Sequence, residues 1–489
     1  MTITDVQTEY YPAIIGGERR GAISGETLDS VSPATGEVIG RFPRCGKQDV
    51  EVAVAAASRA QPSWGALSTT ERADYLRQVA DVVRRNGEEL ARLDAQDNGS
   101  TLSMLRGDYH HAIAQLEYFA GMALRPMGET LPVSQGRVNY TVTQPWGVVA
   151  RIIPFNHPLM FAATKIAAPL MAGNSLILKP SEHTSLSALR LADLLTEVLP
   201  PGVLNVVPGL GPEAGDALVT HKAIRRIAFI GSVPNGQVIQ RRAAESGVKS
   251  VTLELGGKNP LVVFPDADIE LAIDGAQRGM NFTWQGQSCG STSRLLVHRD
   301  VHDEFVGRLA ERIGSLKSGM PDDDSAETGA IVNQGQLDKV QRYIQIGKDE
   351  GAQLVAGGVR ADDPELRRGL FMRPAVFDGV RSDSRLSQEE IFGPVLAVLT
   401  FDDYDEAISI ANGVDYGLTA SVFTRDLERA HSFARDVEAG YVWVNDSSRH
   451  ILGAPFGGTK DSGIGREEST DELESYSQSK NVHIRFAVT

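Results

Sequence analysis

The chain has 489 residues, of which 42% are hydrophobic and 23% charged, and it carries a formal net charge of −15 at pH 7. That length exceeds a single hydrophobic core and predicts two or three domains, and the composition is that of a globular chain rather than a disordered one. The acidic balance argues against a nucleic-acid or anionic-membrane surface, and two cysteines supply no disulfide framework, which fits a reducing cytosol.

Residues 1–11 carry Asp5 and Glu9 and lack the apolar stretch of a signal peptide. No run approaches the ~18 apolar residues of a membrane span, so a cytoplasmic protein without a membrane partner is expected. Short strands and turns are predicted up to residue 45. Ser68-x-x-Glu71 has capping-box spacing, and Ala73, Leu76, Ala80 and Val83 then share one helical face. A second helix is predicted over 109–123, and alternation over 137–143 reads as a strand with one polar face. From Trp146 the pattern changes. Apolar strands at 148–153, 176–178, 203–207, 224–230 and 251–255 alternate with helices at 159–171, 186–199, 213–220 and 236–245. Such alternation predicts a parallel, doubly wound sheet. Beyond Gly256-Gly257 it resumes, with strands at 261–264, 295–297, 395–401, 420–423 and 441–444 and a helix at 268–284. The tail over 481–488 alternates again and reads as a strand that crosses to another domain or subunit.

Several strand-end loops carry residues suited to chemistry. Gly286-Gln287-Ser288-Cys289 places a thiol among small polar residues at an element junction, where a nucleophile needs access; a half-buried structural cysteine is the alternative. Lys179-Pro180-Ser181-Glu182 follows a strand, and Glu182 and Lys179 suit a ribose diol as acceptor and donor, or equally a charged loop cap. Gly231 to Gly236 lies between strand and helix, where glycines admit a pyrophosphate. Its spacing is not that of a Walker-type site. Glu254 precedes Gly256-Gly257 and suits a mobile general base or an exposed strand-end acid. Asn156 offers an amide to an oxyanion, whereas His157, between aromatic and proline neighbours, reads as packing. Lys165 reads as a functional cation or a snorkelling surface residue. Glu390 and Phe392 suit a ribose and a planar ring, and 455–458 with 462–466 form a glycine-rich loop.

Taken together these motifs resemble the NAD(P)-dependent aldehyde dehydrogenase superfamily. The likeness runs from about Ile14 to Val482 and rests on seven motifs in order: Pro-Phe-Asn at 154–156, Leu-Lys-Pro-Ser-Glu at 178–182, Phe-Ile-Gly-Ser at 229–232, Leu-Glu-Leu-Gly-Gly-Lys at 253–258, Gly-Gln-Ser-Cys at 286–289, Glu-Glu-Ile-Phe-Gly-Pro at 389–394 and Pro-Phe-Gly-Gly at 455–458. The resemblance implies an α/β fold: a parallel-sheet dinucleotide-binding domain (1–125 and 146–255), an α/β catalytic domain (256–455) and a small β oligomerisation arm (126–145 and 470–489). It also implies a homodimer or homotetramer. By match to the motifs, Cys289 is the nucleophile, Glu254 the general base and Asn156 the oxyanion donor. Lys179, Ser181, Glu182, Gly231, Ser232, Gly236, Glu390 and Phe392 fall at cofactor-contacting positions, and no metal is implied. The sequence departs from the family at Ile230, where threonine is usual, and at 446–451, where tunnel aromatics are usual.

The implied reaction oxidises a small-molecule aldehyde to its acid through a thiohemiacetal and a thioester. A carboxylate at Glu182 favours NAD, with NADP as the alternative. Arg449 and His450, with Phe456, suggest an aldehyde carrying a carboxylate or another polar acceptor. Two rivals stay open: a thioester captured by coenzyme A, and a non-catalytic binding protein on the same fold.

Overall fold

The computed structural model of the chain describes residues 9–125 and 128–486. Residues 1–8 of the stretch read for a signal peptide, residues 126–127 of the expected arm, and Val488 in the alternating tail lie outside the described residues.

Five parallel strands make the centre of the first sheet, in spatial order Leu204–Val206, Ser175–Lys179, Val148–Ile152, Ile224–Gly231 and Ser250–Leu255. The first three are buried throughout, as strands with helices on both faces should be. The chain starts in the middle strand, steps outward through two strands, then returns and steps outward on the other side. That reversal sets a switch point between Val148–Ile152 and Ile224–Gly231, and a crevice opens there beyond the carboxyl ends. Antiparallel strands close both edges, Ala13–Ile15 with Glu18–Arg20 at one and Gly463–Ile464 at the other.

The second sheet runs Gln353–Ala356, Ala375–Asp378, Val395–Phe401, Arg294–His298, Pro260–Val263, Thr419–Phe423 and Tyr441–Val444, parallel but for the first pair. A third, antiparallel sheet pairs Ser477–Arg485 with Arg137–Pro145, and the latter with Thr130–Leu131. The alternation over 137–143 and in the tail thus marks two partners in one ladder.

Local chemistry explains where elements begin and stop. Helix Thr69–Asn98 opens on the expected capping box: Ser68 Oγ accepts from the Glu71 N–H, and the Glu71 carboxylate accepts from the Ser68 N–H at 2.7 Å. It closes on Gly99 at φ +82°, where a Cβ would meet the Ala330 carbonyl oxygen at 2.9 Å. The single helix expected over 159–171 is two, Pro158–Thr164 and Ala167–Met171. Pro169 has no N–H for the Lys165 carbonyl, so the helix breaks one turn upstream. The helix expected to reach residue 284 ends as Ile269–Gly279. Gly279 presses so closely on Ser447 and Thr292 that a Cβ would meet their hydroxyl oxygens at 2.2 and 2.4 Å.

Candidate active site

The carboxyl ends of the first sheet's strands face the amino ends of strands Arg294–His298 and Val395–Phe401. Loops that precede and follow strands thus meet around one sulfur. Cys289 is half-buried on the wall between two chambers. One, of about 140 Å³, is bounded by Asn156, Gly231, Ser232, Gly256, Glu390 and Phe392. The other, of about 210 Å³, is bounded by Asp108, His157, Phe161, Trp284, His450 and Phe456, among others. Ile230, Glu254 and Cys289 are common to both.

Glu254 is buried, with Oε1 unpartnered. Burial pushes its carboxyl up to about 8; the Glu467 charge adds to the rise, and a hydrogen bond from the Cys289 thiol opposes it. Burial likewise raises the Cys289 thiol well above its ordinary range, and the Glu254 charge and hydrogen bond raise it further. The protonated thiol thus favours the carboxylate while the carboxylate opposes the thiolate, and near neutrality the pair resists holding two negative charges. Asn156 is also buried, its Oδ1 without a partner; the Asn98 amide holds its backbone carbonyl at 3.1 Å.

The nucleophile loop is fixed by a residue that motif reading passed over. Asn259 Nδ2 donates to the carbonyls of Cys289 (2.8 Å) and Ser291 (2.9 Å), while its Oδ1 accepts from the Thr419 N–H at 3.0 Å. Nothing local in Lys-Asn-Pro signals this role, because all three partners are distant in sequence.

On the cofactor side, Glu390 Oε1 accepts from the Gly257 N–H at 3.0 Å, and a Cβ at Gly256 would meet Glu390 Oε2 at 2.2 Å. Glycine is required there by the carboxylate itself. Phe392 sits at φ +57°, its carbonyl held by Gln336 Nε2 at 2.7 Å, and its ring meets Phe155 edge-on at 5.6 Å. A third cleft, of about 430 Å³, lies across the first sheet's strand ends, lined by Lys179, Glu182, Phe229, Val238 and Ile239. Lys179 Nζ donates to the Pro180 carbonyl (2.9 Å) and to Glu182 (3.5 Å). Burial raises the Glu182 carboxyl and the Lys179 charge outweighs it, for a net lowering. An apolar slot with an acid and a base at its end, beside the amino end of helix Val233–Ser246, fits an adenosine with its ribose and pyrophosphate.

Five of the residues singled out above sit otherwise than the sequence suggested. Ser181 does not line that cleft; its Oγ accepts from the His183 N–H at 3.2 Å and so caps its own turn. Gly236 also stays outside and serves packing, since a Cβ would meet Leu255 at 2.8 Å. Arg449 lies off the substrate-side chamber with a side chain 69% exposed, its nearest acid Asp446 at 3.8 Å. His450 and Phe456 do line it, ring against ring at 4.6 Å. His157, read as packing, lines it too and bonds Asp108 at 2.8 Å. Lys165 is neither exposed nor snorkelling: it is 2% exposed and pairs with Glu467 at 2.9 Å, which also pairs with Arg151.

A doubly wound sheet whose switch point opens onto a thiol between two chambers defines a dinucleotide-dependent oxidoreductase of the α/β class. The chain belongs to the aldehyde dehydrogenase family, whose sequence model matches residues 21–482. It is 43% identical to the aldehyde dehydrogenase tropH of Talaromyces stipitatus over 477 residues, covering 96% of this chain and 92% of that one. It is 42% identical to a betaine aldehyde dehydrogenase of Cereibacter sphaeroides over 463 residues, 94% of each. Among solved structures, the betaine aldehyde dehydrogenase of Staphylococcus aureus in complex with NAD+ superposes with a TM-score of 0.95 at 37% identity, covering 98% of this chain and 95% of that one. The protein is thus an NAD(P)-dependent oxidoreductase acting on an aldehyde.

Proposed function

We propose that Cys289 is the nucleophile, Glu254 the general base and Asn156 an oxyanion donor in oxidation of an aldehyde to its carboxylic acid. The observation that carries this reading is the position of Cys289 and Glu254 on the wall common to both chambers. There the sulfur reaches an aldehyde on one side while a cofactor ring lies on the other. The thiol passes its proton to Glu254 and attacks the aldehyde carbon. The oxyanion is held by the Asn156 amide, and one such donor contributes about 3–4 kcal/mol. NAD, when bound, supplies the acceptor for the hydride that leaves the thiohemiacetal carbon. Glu254 then releases that proton to solvent and deprotonates the water that attacks the thioester on Cys289, which frees the acid and returns a proton to the sulfur. Lys179 and Glu182 hold the adenosine ribose, Gly231 and Ser232 admit the cofactor to the inner chamber, and Glu390 and Phe392 position its nicotinamide half. Ionised Glu182 accepts from a 2′-hydroxyl and repels a 2′-phosphate, which supports a preference for NAD.

The test is cofactor reduction followed at its absorbance with an aldehyde panel, with and without added coenzyme A. Acid formed without coenzyme A, and abolished in Cys289→Ala, supports the reading. Dependence on coenzyme A would instead favour an acylating dehydrogenase, and no turnover at all a binding protein.

We assign residues 9–125 and 146–255 to the cofactor domain, 256–455 to the catalytic domain and the 128–145 and 470–486 segments to an arm that joins copies into a homodimer or homotetramer. Leu131, Val138, Ile484 and Phe486 leave apolar side chains exposed on that arm, which supports a partner surface. Light scattering showing a monomer would remove the assignment. Among the described residues no helix is long and apolar enough to cross a membrane; two unpaired cysteines agree with a cytoplasmic setting.

A further inference from the structure

We propose that the substrate-side chamber is built for a single-ring aromatic aldehyde bearing a ring hydroxyl, received by the imidazoles of His157 and His450. The inference rests on Cys289 as the nucleophile. Size comes first. The chamber's roughly 210 Å³ compares with the ~150 Å³ cavity that holds benzene. One ring with a formyl group and a small substituent fills it. Phe161, Trp284 and Phe456 supply flat apolar walls.

The polar groups are more specific. His157 Nδ1 bonds Asp108 at 2.8 Å and His450 Nδ1 bonds Glu468 at 2.9 Å. Neither Nε2 has a partner among the described residues. A carboxylate at Nδ1 requires a proton there, so Nε2 offers a lone pair when the ring is neutral and an N–H when it is charged. Burial disfavours charge on His450, but Glu468, by its charge and hydrogen bond, outweighs burial and favours the imidazolium. Two rings anchored in this way can present one acceptor and one donor to the same space. A hydroxyl is the small substituent that answers both.

Charge argues against two other substrates. Asp108, Glu467 and Glu468 border the chamber, but its lysine, Lys165, is paired with Glu467 and Arg449 lies off it, so neither is free to hold a substrate carboxylate. A trimethylammonium group suits aromatic walls, but each of these acids is already engaged, with His157, with Arg151 and Lys165, and with His450.

The test compares kcat/KM for benzaldehyde, meta- and para-hydroxybenzaldehyde, para-methoxybenzaldehyde, hexanal and a trimethylammonium aldehyde. A hydroxybenzaldehyde should exceed both benzaldehyde and the methyl ether by about tenfold or more, the worth of a hydrogen bond to a charged group. In His157→Phe and His450→Phe the hydroxy-to-unsubstituted ratio should fall toward one, and Asp108→Asn should lower it with bulk retained. The wild-type series needs no variant to fold. Benzaldehyde oxidised without hydroxyl preference, a preference that survives both histidine replacements, or hexanal or the trimethylammonium aldehyde as the better substrate would each overturn the inference while leaving the nucleophile assignment intact. No aldehyde oxidised would remove both.

Discussion

Replacing Glu254 with glutamine tests the heart of the mechanism. With its carboxyl near 8, Glu254 is about a tenth ionised at pH 7 and about nine-tenths at pH 9. A base must be deprotonated to act, so the raised pKa withholds activity at low pH and releases it as pH rises. If deacylation limits turnover, wild-type kcat should climb roughly tenfold between pH 7 and 9. Glu254→Gln cannot take a proton from water. Its steady-state rate should fall by about 10²–10⁴-fold, and the rise with pH should flatten. Acylation should survive, because without the Glu254 charge the Cys289 thiol gives its proton to solvent more readily. Stopped-flow absorbance should then show a burst of reduced cofactor close to one per site, followed by a slow phase. Loss of the carboxylate also removes one cause of the raised Cys289 pKa. Alkylation by iodoacetamide should therefore reach its half-maximal rate at lower pH in the variant. A wild-type kcat flat from pH 6 to 9, or a variant with neither burst nor shifted alkylation, would refute the coupling of these two groups.

Three further outcomes are expected. Glu182→Ala should lower the NAD-to-NADP ratio of kcat/KM by about tenfold, because a charge that repels the 2′-phosphate is gone; steady-state kinetics with both cofactors measures it. Gly256→Ala drives a Cβ into the Glu390 carboxylate, so the KM for cofactor should rise severalfold while binding of aldehyde, read by its own KM, changes little. Asn259→Ala leaves the Cys289 and Ser291 carbonyls and the Thr419 N–H without their shared partner, which should cost about 2–4 kcal/mol in denaturant unfolding and lower kcat through a displaced sulfur.

Reading along the chain found the parts of the site that repeat a local rule. Strand-helix alternation marks a parallel sheet, and a parallel sheet places loops such as 154–156, 178–182 and 229–232 at the carboxyl ends, where ligands gather. Capping at Ser68 and the alternating strand at 137–143 were legible for the same reason: neighbours in sequence settle them. Side-chain direction was not. Ser181 and Gly236 belong to the right loops, but one turns back on its own backbone and the other makes room for Leu255. Arg449 is adjacent to His450 in sequence, yet only His450 enters the chamber. The buried charges show the limit most clearly. Asp108 meets His157, Glu468 meets His450, and Lys165 and Arg151 meet Glu467 across 18 to 316 residues of chain. Periodicity and spacing carry no record of such partners, because a buried charge is stabilised by whatever group folding brings within about 3 Å of it, and that distance exists only in three dimensions.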